Sequence, residues 1–155
     1  MLLTEIKSIK VYHGTGSNNL ETKLKPPLFV TTKMRGARWY ANNHSTGSSK
    51  GVIIKGTLHV QKVLKADDGI GYDKFLEIAK KAGIEWTEEP YFNCPEIEKH
   101  SPYDGSNWLD IVYIPSFQLE LKKEGYDSIF AYDILENIEI ETYVLFNPET
   151  QFIIG

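Results

Sequence analysis

The sequence predicts an α+β domain with a largely antiparallel core. Three observations carry that expectation. Runs rich in β-branched and aromatic residues stand near both ends of the chain. Apolar positions at helical spacing fall mainly in the middle. Strands and helices do not alternate in the regular way that builds a parallel sheet. No repeat, low-complexity tract or long linker divides the 155 residues, which read as one domain over 1–155.

Residues 9–13 begin with β-branched character and read as a strand that ends in a turn at Gly14. Residues 15–27 are polar, contain Gly16-Ser17-Asn18-Asn19 and Pro26-Pro27, and read mostly as loop. A second strand is expected over 28–31. Thr32 is placed to cap a short helix through Asn42, with Met34, Ala37 and either Arg38 or Ala41 at helical spacing. Residues 42–51 read as an exposed loop, and 52–60 as a strand that Val63-Leu64 extends. Asp67-Asp68-Gly69 forms a turn before a helix over 72–82, where Phe75, Ile78, Ala79 and Ala82 share a face and Gly83 ends it. The Pro-, Asn- and aromatic-rich stretch 85–104 fits no element. A short helix is expected over 107–113, and another over 117–124 with Ser116 as cap and Gly125 as stop. Strands over 126–131 and 138–146 complete the order.

The bulk composition, 41% apolar and 25% charged, is that of an ordinary soluble globular chain. No apolar run reaches the roughly 18–20 residues of a membrane helix, so no membrane partner is expected. The first residues lack a basic stretch followed by an apolar core and are not expected to act as a secretory leader. A single cysteine, Cys94, fits a reducing compartment, and a cytoplasmic location is expected. The net charge of −4 is unevenly spread. Residues 1–55 hold nine Lys/Arg against two acids, whereas 56–155 hold eight against nineteen. That asymmetry suits a polyanion beside the basic part, either a dinucleotide pyrophosphate or a nucleic acid, although a mixed folded surface explains it as well.

The chemistry-bearing pattern is Tyr12-His13-Gly14-Thr15, then Phe29-Val30-Thr31-Thr32, then Ala37-Arg38-Trp39-Tyr40. His13 at a strand end offers an imidazole, and Gly14 an approachable backbone amide. Thr15 adds a hydroxyl, and Phe29 with Tyr40 supplies two flat faces for stacking. Taken singly, His13 is equally a structural histidine, and Phe29 and Tyr40 are core residues. Their order and spacing resemble the NAD-binding half of ADP-ribosyltransferases of the His-Tyr-Glu group, the diphtheria-toxin-like and poly-ADP-ribose-polymerase-like enzymes. Gly125-Tyr126-Asp127-Ser128-Ile129 is similar to a Gly-Tyr-Asp-Gly-Ile segment of bacterial and phage-encoded members.

The resemblance implies an ADP-ribosyltransferase-like split antiparallel β core with flanking helices. It implies that His13 binds the NAD ribose with Gly14 and Thr15, and that Phe29 and Tyr40 sandwich the nicotinamide. Phe29 stands where the family usually has Tyr, which keeps the stacking face and loses a hydroxyl. Thr31 resembles a polar position of the same site. The third element of the family is a Glu on a late strand, directly before an aromatic residue. Glu141-Thr142-Tyr143-Val144 is the corresponding segment, and strict matching puts Thr142 in the catalytic place. Glu141, the candidate carboxylate, then faces away from the pocket unless a bulge turns it inward, and Glu139 shares its face.

The implied activity is mono-ADP-ribosyl transfer from NAD, a co-substrate, to a protein or nucleic acid acceptor, with nicotinamide released. His13, Tyr40 and Glu141 form the catalytic set, and His13, Gly14, Thr15, Phe29, Thr31, Tyr40 and Thr142 the NAD-binding set. Lys33, Arg35 and Arg38 would lie beside the pocket, against NAD phosphates or a nucleic acid backbone. Family analogy suggests a toxin or effector and allows an antitoxin or inhibitor as partner. Two alternatives remain open: an RNA 2′-phosphotransferase and a catalytically silent nucleotide-binding module on the same fold. No metal is expected, because His44, His59, His100 and Cys94 make no ligand set and Asp67-Asp68-Gly69 lacks the further acids of a calcium loop. The spacing over 45–49 is not that of a phosphate-binding loop.

Overall fold

A computed structural model describes residues 2–3, 9–15, 24–43 and 51–155. Eight strands form one hydrogen-bonded sheet. They are β1 (Leu2–Leu3), β2 (Ile9–Thr15), β3 (Leu28–Thr31), β4 (Val52–Leu58), β5 (Val63–Lys65), β6 (Ser128–Leu135), β7 (Ile138–Leu145) and β8 (Phe152–Ile154). Their order is β1-β5-β6-β7-β3-β2-β4-β8. Every pairing is antiparallel except β5 with β6. A parallel pair needs a long crossover. Here it contains α2 (Gly69–Lys81), 3-10 helices at Pro95–Lys99 and Trp108–Tyr113, and α3 (Pro115–Lys123). The fold mixes helices with a mostly antiparallel sheet, which is compatible with the expected α+β class.

Local chemistry accounts for most boundaries. The β6–β7 hairpin turns on Glu136 and Asn137, both at positive φ (50° and 66°), the conformation of a two-residue turn matched to strand twist. Asp68 caps α2 by accepting from Gly71 N at 2.7 Å. Gly83 and Gly125 follow α2 and α3 at φ +81° and +93°, where a side chain would be strained. Pro115 opens α3, so Ser116 lies within the first turn and does not cap it. The first helix, α1 (Met34–Asn43), starts after Thr32, whose hydroxyl binds Glu141 instead of capping. Val63-Leu64 does not extend β4. The chain bends at 59–62 and β5 joins β1 and β6 at the far side of the sheet.

The sheet is strongly curled. β6 and β8 are five steps apart in the ladder, about 24 Å on a flat sheet. Yet Gln151 Nε2, just before β8, donates to Asp127 O, just before β6, at 2.8 Å. Val63 and Phe152, from strands near opposite ends of the sheet, share one buried cluster with Val11, Val30, Phe130 and Leu145. The core expected to be split is therefore folded over on itself, with an unbroken ladder. The other face carries a second cluster, in which Phe75, Phe117 and Leu109 pack on Ile129, Ala131 and Val144. No helix among the described residues is long and apolar enough to cross a membrane.

Candidate functional site

The site begins where β2 and β3 part. Tyr12 lies opposite Thr31 in the ladder, and one residue on, the His13 side chain ties the strands together. Its Nδ1 lies 2.9 Å from Phe29 O. A carbonyl only accepts, so Nδ1 carries the hydrogen and Nε2 is left as an acceptor. Burial holds the imidazole pKa below its ordinary value, against the opposing pull of that carbonyl, and favours the neutral ring. Gly14 allows α1 to lie directly on β2. A Cβ there would sit 1.8 Å from Ala37 O, a distance no side chain tolerates. This close approach packs α1, with Trp39 and Tyr40 near its middle, against β2.

The result is a cavity of about 420 Å³. His13, Gly14, Thr15, Phe29 and Tyr40 all line it. Five of the eight expected site residues are thus brought together. The opposite wall comes from the long crossover, which supplies Tyr103, Asp104, Asp110 and Tyr113, and the floor includes Asp133 of β6. Phe29 is stacked on Tyr113, with centroids 5.8 Å apart and planes 17° from parallel. Tyr113 in turn meets Tyr103 at 5.7 Å, and their hydroxyls are hydrogen-bonded. Tyr40 donates its hydroxyl to Asp133 Oδ2 and packs edge-on against Trp39.

Three aspartates and no lysine or arginine line the cavity among the described residues. Burial raises the Asp133 carboxyl, partly offset by the Tyr40 hydroxyl. Asp110 is pushed up to about 7 by burial and then by the charges of Asp133 and Asp104. The Tyr40 and Tyr113 hydroxyls are also raised, burial first; for Tyr40 the Asp133 charge comes next, and for Tyr113 the neighbouring Tyr103. Unlike neighbours thus divide the two carboxyls. Asp133 has a donor that favours its ionised form, and Asp110 bears the repulsion.

Three expected residues do not reach the cavity. Glu141 lies opposite Tyr132 in a β6–β7 register that runs without a bulge from Ser128–Leu145 to Leu135–Ile138. Alternation therefore turns it to the face of Tyr143, away from Phe29 and Asp133. Its Oε1 accepts from Thr32 Oγ1 at 2.8 Å and its carbonyl from Thr32 N, which fixes the β3–α1 turn. Glu141 as a cavity carboxylate is corrected on that ground. Thr142 is on the Phe29 face but wholly buried, with its hydroxyl on Ile140 O at 2.9 Å. Thr31, beside it in the ladder, is buried too and donates to Lys33 O at 2.8 Å. Both threonines support the site from beneath.

A larger depression of about 1080 Å³ lies between α3 and the start of β8. Its polar groups serve the fold. Asp127 accepts from Gln61 N and Lys62 N, and Gln151 joins Asn147 N to Asp127 O. Asp127 belongs to the Gly125–Ile129 segment singled out in the sequence, so that segment closes the curled sheet instead of entering the site. Asp110, Asp133 and Tyr113 were not among the expected site residues. One signal was available in the sequence, since Asp133 is the single charge in the run Ser-Ile-Phe-Ala-Tyr-Asp-Ile-Leu. No family model, curated protein or solved structure matches this chain.

Proposed function

We propose that the cavity takes the nicotinamide-ribose half of NAD and that the protein transfers ADP-ribose to a macromolecular acceptor, releasing nicotinamide. The single observation that carries this reading is the convergence of His13, Gly14, Thr15, Phe29 and Tyr40 on one cavity that also holds carboxylates. The volume is within the range of small-ligand sites and suits half of a dinucleotide. The nicotinamide ring of NAD is cationic before cleavage, and positive charge passes to the ribose as the bond breaks. An aspartate-lined cavity matches both states. The same charge would repel a pyrophosphate, which points outward to the basic 1–55 part, where Lys33, Arg35 and Arg38 are exposed.

Within this reading each residue has a task. The neutral His13 keeps Nδ1–H on Phe29 O and presents Nε2 to a ribose hydroxyl. The Phe29 and Tyr113 rings give an apolar wall for the nicotinamide. Positioning and electrostatics carry the rate. Whether the acceptor is protein or nucleic acid is decided by labelling with each in turn. A His13→Ala variant is expected to lose on the order of 10²-fold in nicotinamide release with its thermal transition retained. Equal turnover in the variant contradicts the reading.

Thr142 favours a second reading. It holds the place of the family's carboxylate and its hydroxyl is occupied within its own strand. A silent nucleotide-binding module would bind NAD and release no nicotinamide, with or without an acceptor.

A further inference from the structure

We infer that the carboxylate facing the reacting ribose is Asp133 of β6, held by Tyr40, and that no carboxylate of β7 takes that part. The inference rests on the NAD reading above and assigns the residue that the sequence pattern left without an occupant.

Strand geometry is the first support. Phe29, Thr142, Ala131 and Asp133 all project from one face of the sheet: Phe29 pairs with Val144, Thr142 with Ala131, and Ile140 with Asp133. The family's position, at Thr142, therefore has Asp133 as its diagonal neighbour one strand away. Diagonal neighbours on an antiparallel pair are roughly 7–8 Å apart, and of these two only Asp133 lines the cavity. Glu141 and Glu139 point to the opposite face, and the β6–β7 pairing contains no bulge to turn them. The carboxylate has moved to the next strand while keeping its face.

The second support is the hydrogen bond from Tyr40. A hydroxyl donated to one carboxylate oxygen stabilises the ionised form and fixes its plane, and the Ile134 backbone adds a further donor to the same carboxylate. Tyr40 thereby acts as a positioning residue, and the ring that faces Phe29 is Tyr113. The groups that face Asp133 are Tyr40 from α1, Asp110 and Tyr113 from the 3-10 helix Trp108–Tyr113, and Tyr103 from the loop before it. None of these is cationic, and among the described residues no lysine or arginine lines the cavity, so a cationic ligand complements Asp133.

In the step itself, the bond from ribose C1′ to the nicotinamide nitrogen breaks and its electron pair leaves with nicotinamide, which becomes neutral. The positive charge left on the ribose faces Asp133. The acceptor's nucleophilic atom then bonds to C1′ and its proton goes to solvent. Asp133 is not consumed, and no oxidant or reductant takes part.

The test uses the full chain, its Asp133→Asn, Glu141→Gln and Tyr40→Phe variants, and two ligands, NAD and its reduced form, whose ring is neutral. Asn keeps the acceptor for Tyr40 and removes only the charge. Asp133→Asn is expected to lower nicotinamide release on the order of 10²-fold, and to erase a preference for the oxidised over the reduced dinucleotide of about fivefold or more. Glu141→Gln is expected to stay within about twofold of the parent on both measures, as for a residue outside the site. Tyr40→Phe is expected to move the acid limb of the rate–pH profile to higher pH, because Asp133 loses its donor. A merely structural tyrosine would leave that limb in place. Retained preference in Asp133→Asn, or collapse in Glu141→Gln alone, overturns the inference while leaving the NAD reading standing. A parent that binds neither dinucleotide overturns the NAD reading, and the inference with it.

Discussion

Asp110 should weaken the fold at neutral pH, and removing its charge should strengthen it. Its carboxyl is pushed up from 3.8 to about 7 in the folded chain by burial and by Asp133 and Asp104. A raised carboxyl binds its proton more tightly folded than unfolded. Stability therefore falls as pH rises from about 4 to about 7, and the penalty is complete above 7. That rise corresponds to about 4 kcal/mol at most. Asp110 is half-buried and solvent reaches it, so about 2 kcal/mol is the working figure. The perturbation is Asp110→Asn, which keeps size and polarity. Urea unfolding of parent and variant at pH 4, 6 and 8 gives the difference, in which other titrations cancel. The variant should match the parent at pH 4 and exceed it by about 2 kcal/mol at pH 8. A difference that is flat with pH, or a variant less stable at pH 8, would refute the reasoning. The expected result would also mark Asp110 as a residue kept against the interest of stability, as site residues often are.

Other substitutions probe the frame around the site. Gly14→Ala forces a Cβ to 1.8 Å from Ala37 O, so α1 must shift; a loss of about 1–3 kcal/mol in urea and weaker NAD binding are expected together. Phe75→Ala empties the packing against Trp108 and Phe117, at 4.9 and 4.7 Å, and should cost about 3–5 kcal/mol by the same assay. Asp68→Ala removes the cap of α2 and should cost about 1 kcal/mol, read as a modest drop in thermal midpoint.

Local patterns in the sequence explain what could be read from it. The strand at 28–31 and most of that at 138–146 carry unbroken β-branched or apolar runs, and the structure gives Leu28–Thr31 and Ile138–Leu145. The helix around Phe75, Ile78 and Ala79 follows its apolar spacing. Phe152-Ile153-Ile154 is apolar too, but three residues are too few to mark a strand, and they form one by pairing with β4. Val63-Leu64 looked continuous with β4, and only tertiary pairing sends it to β6. The family resemblance singled out His13, Phe29 and Tyr40, which line one cavity, and alternation already warned that Glu141 would turn away. Tyr113 and Asp110 were not legible, since they reach the cavity through the crossover, and Asp133 was marked only as the single charge of a neighbouring strand. A pattern that looks for its acid on β7 has no means of finding one on β6.

The most direct measurement is an NMR titration of the protein with NAD, followed at assigned side-chain and backbone resonances. Saturable shifts centred on His13, Phe29, Tyr113 and Asp133, lost in His13→Ala, are the expected result. Shifts centred instead on the depression between α3 and β8, or none at millimolar NAD, would contradict the assignment of the cavity.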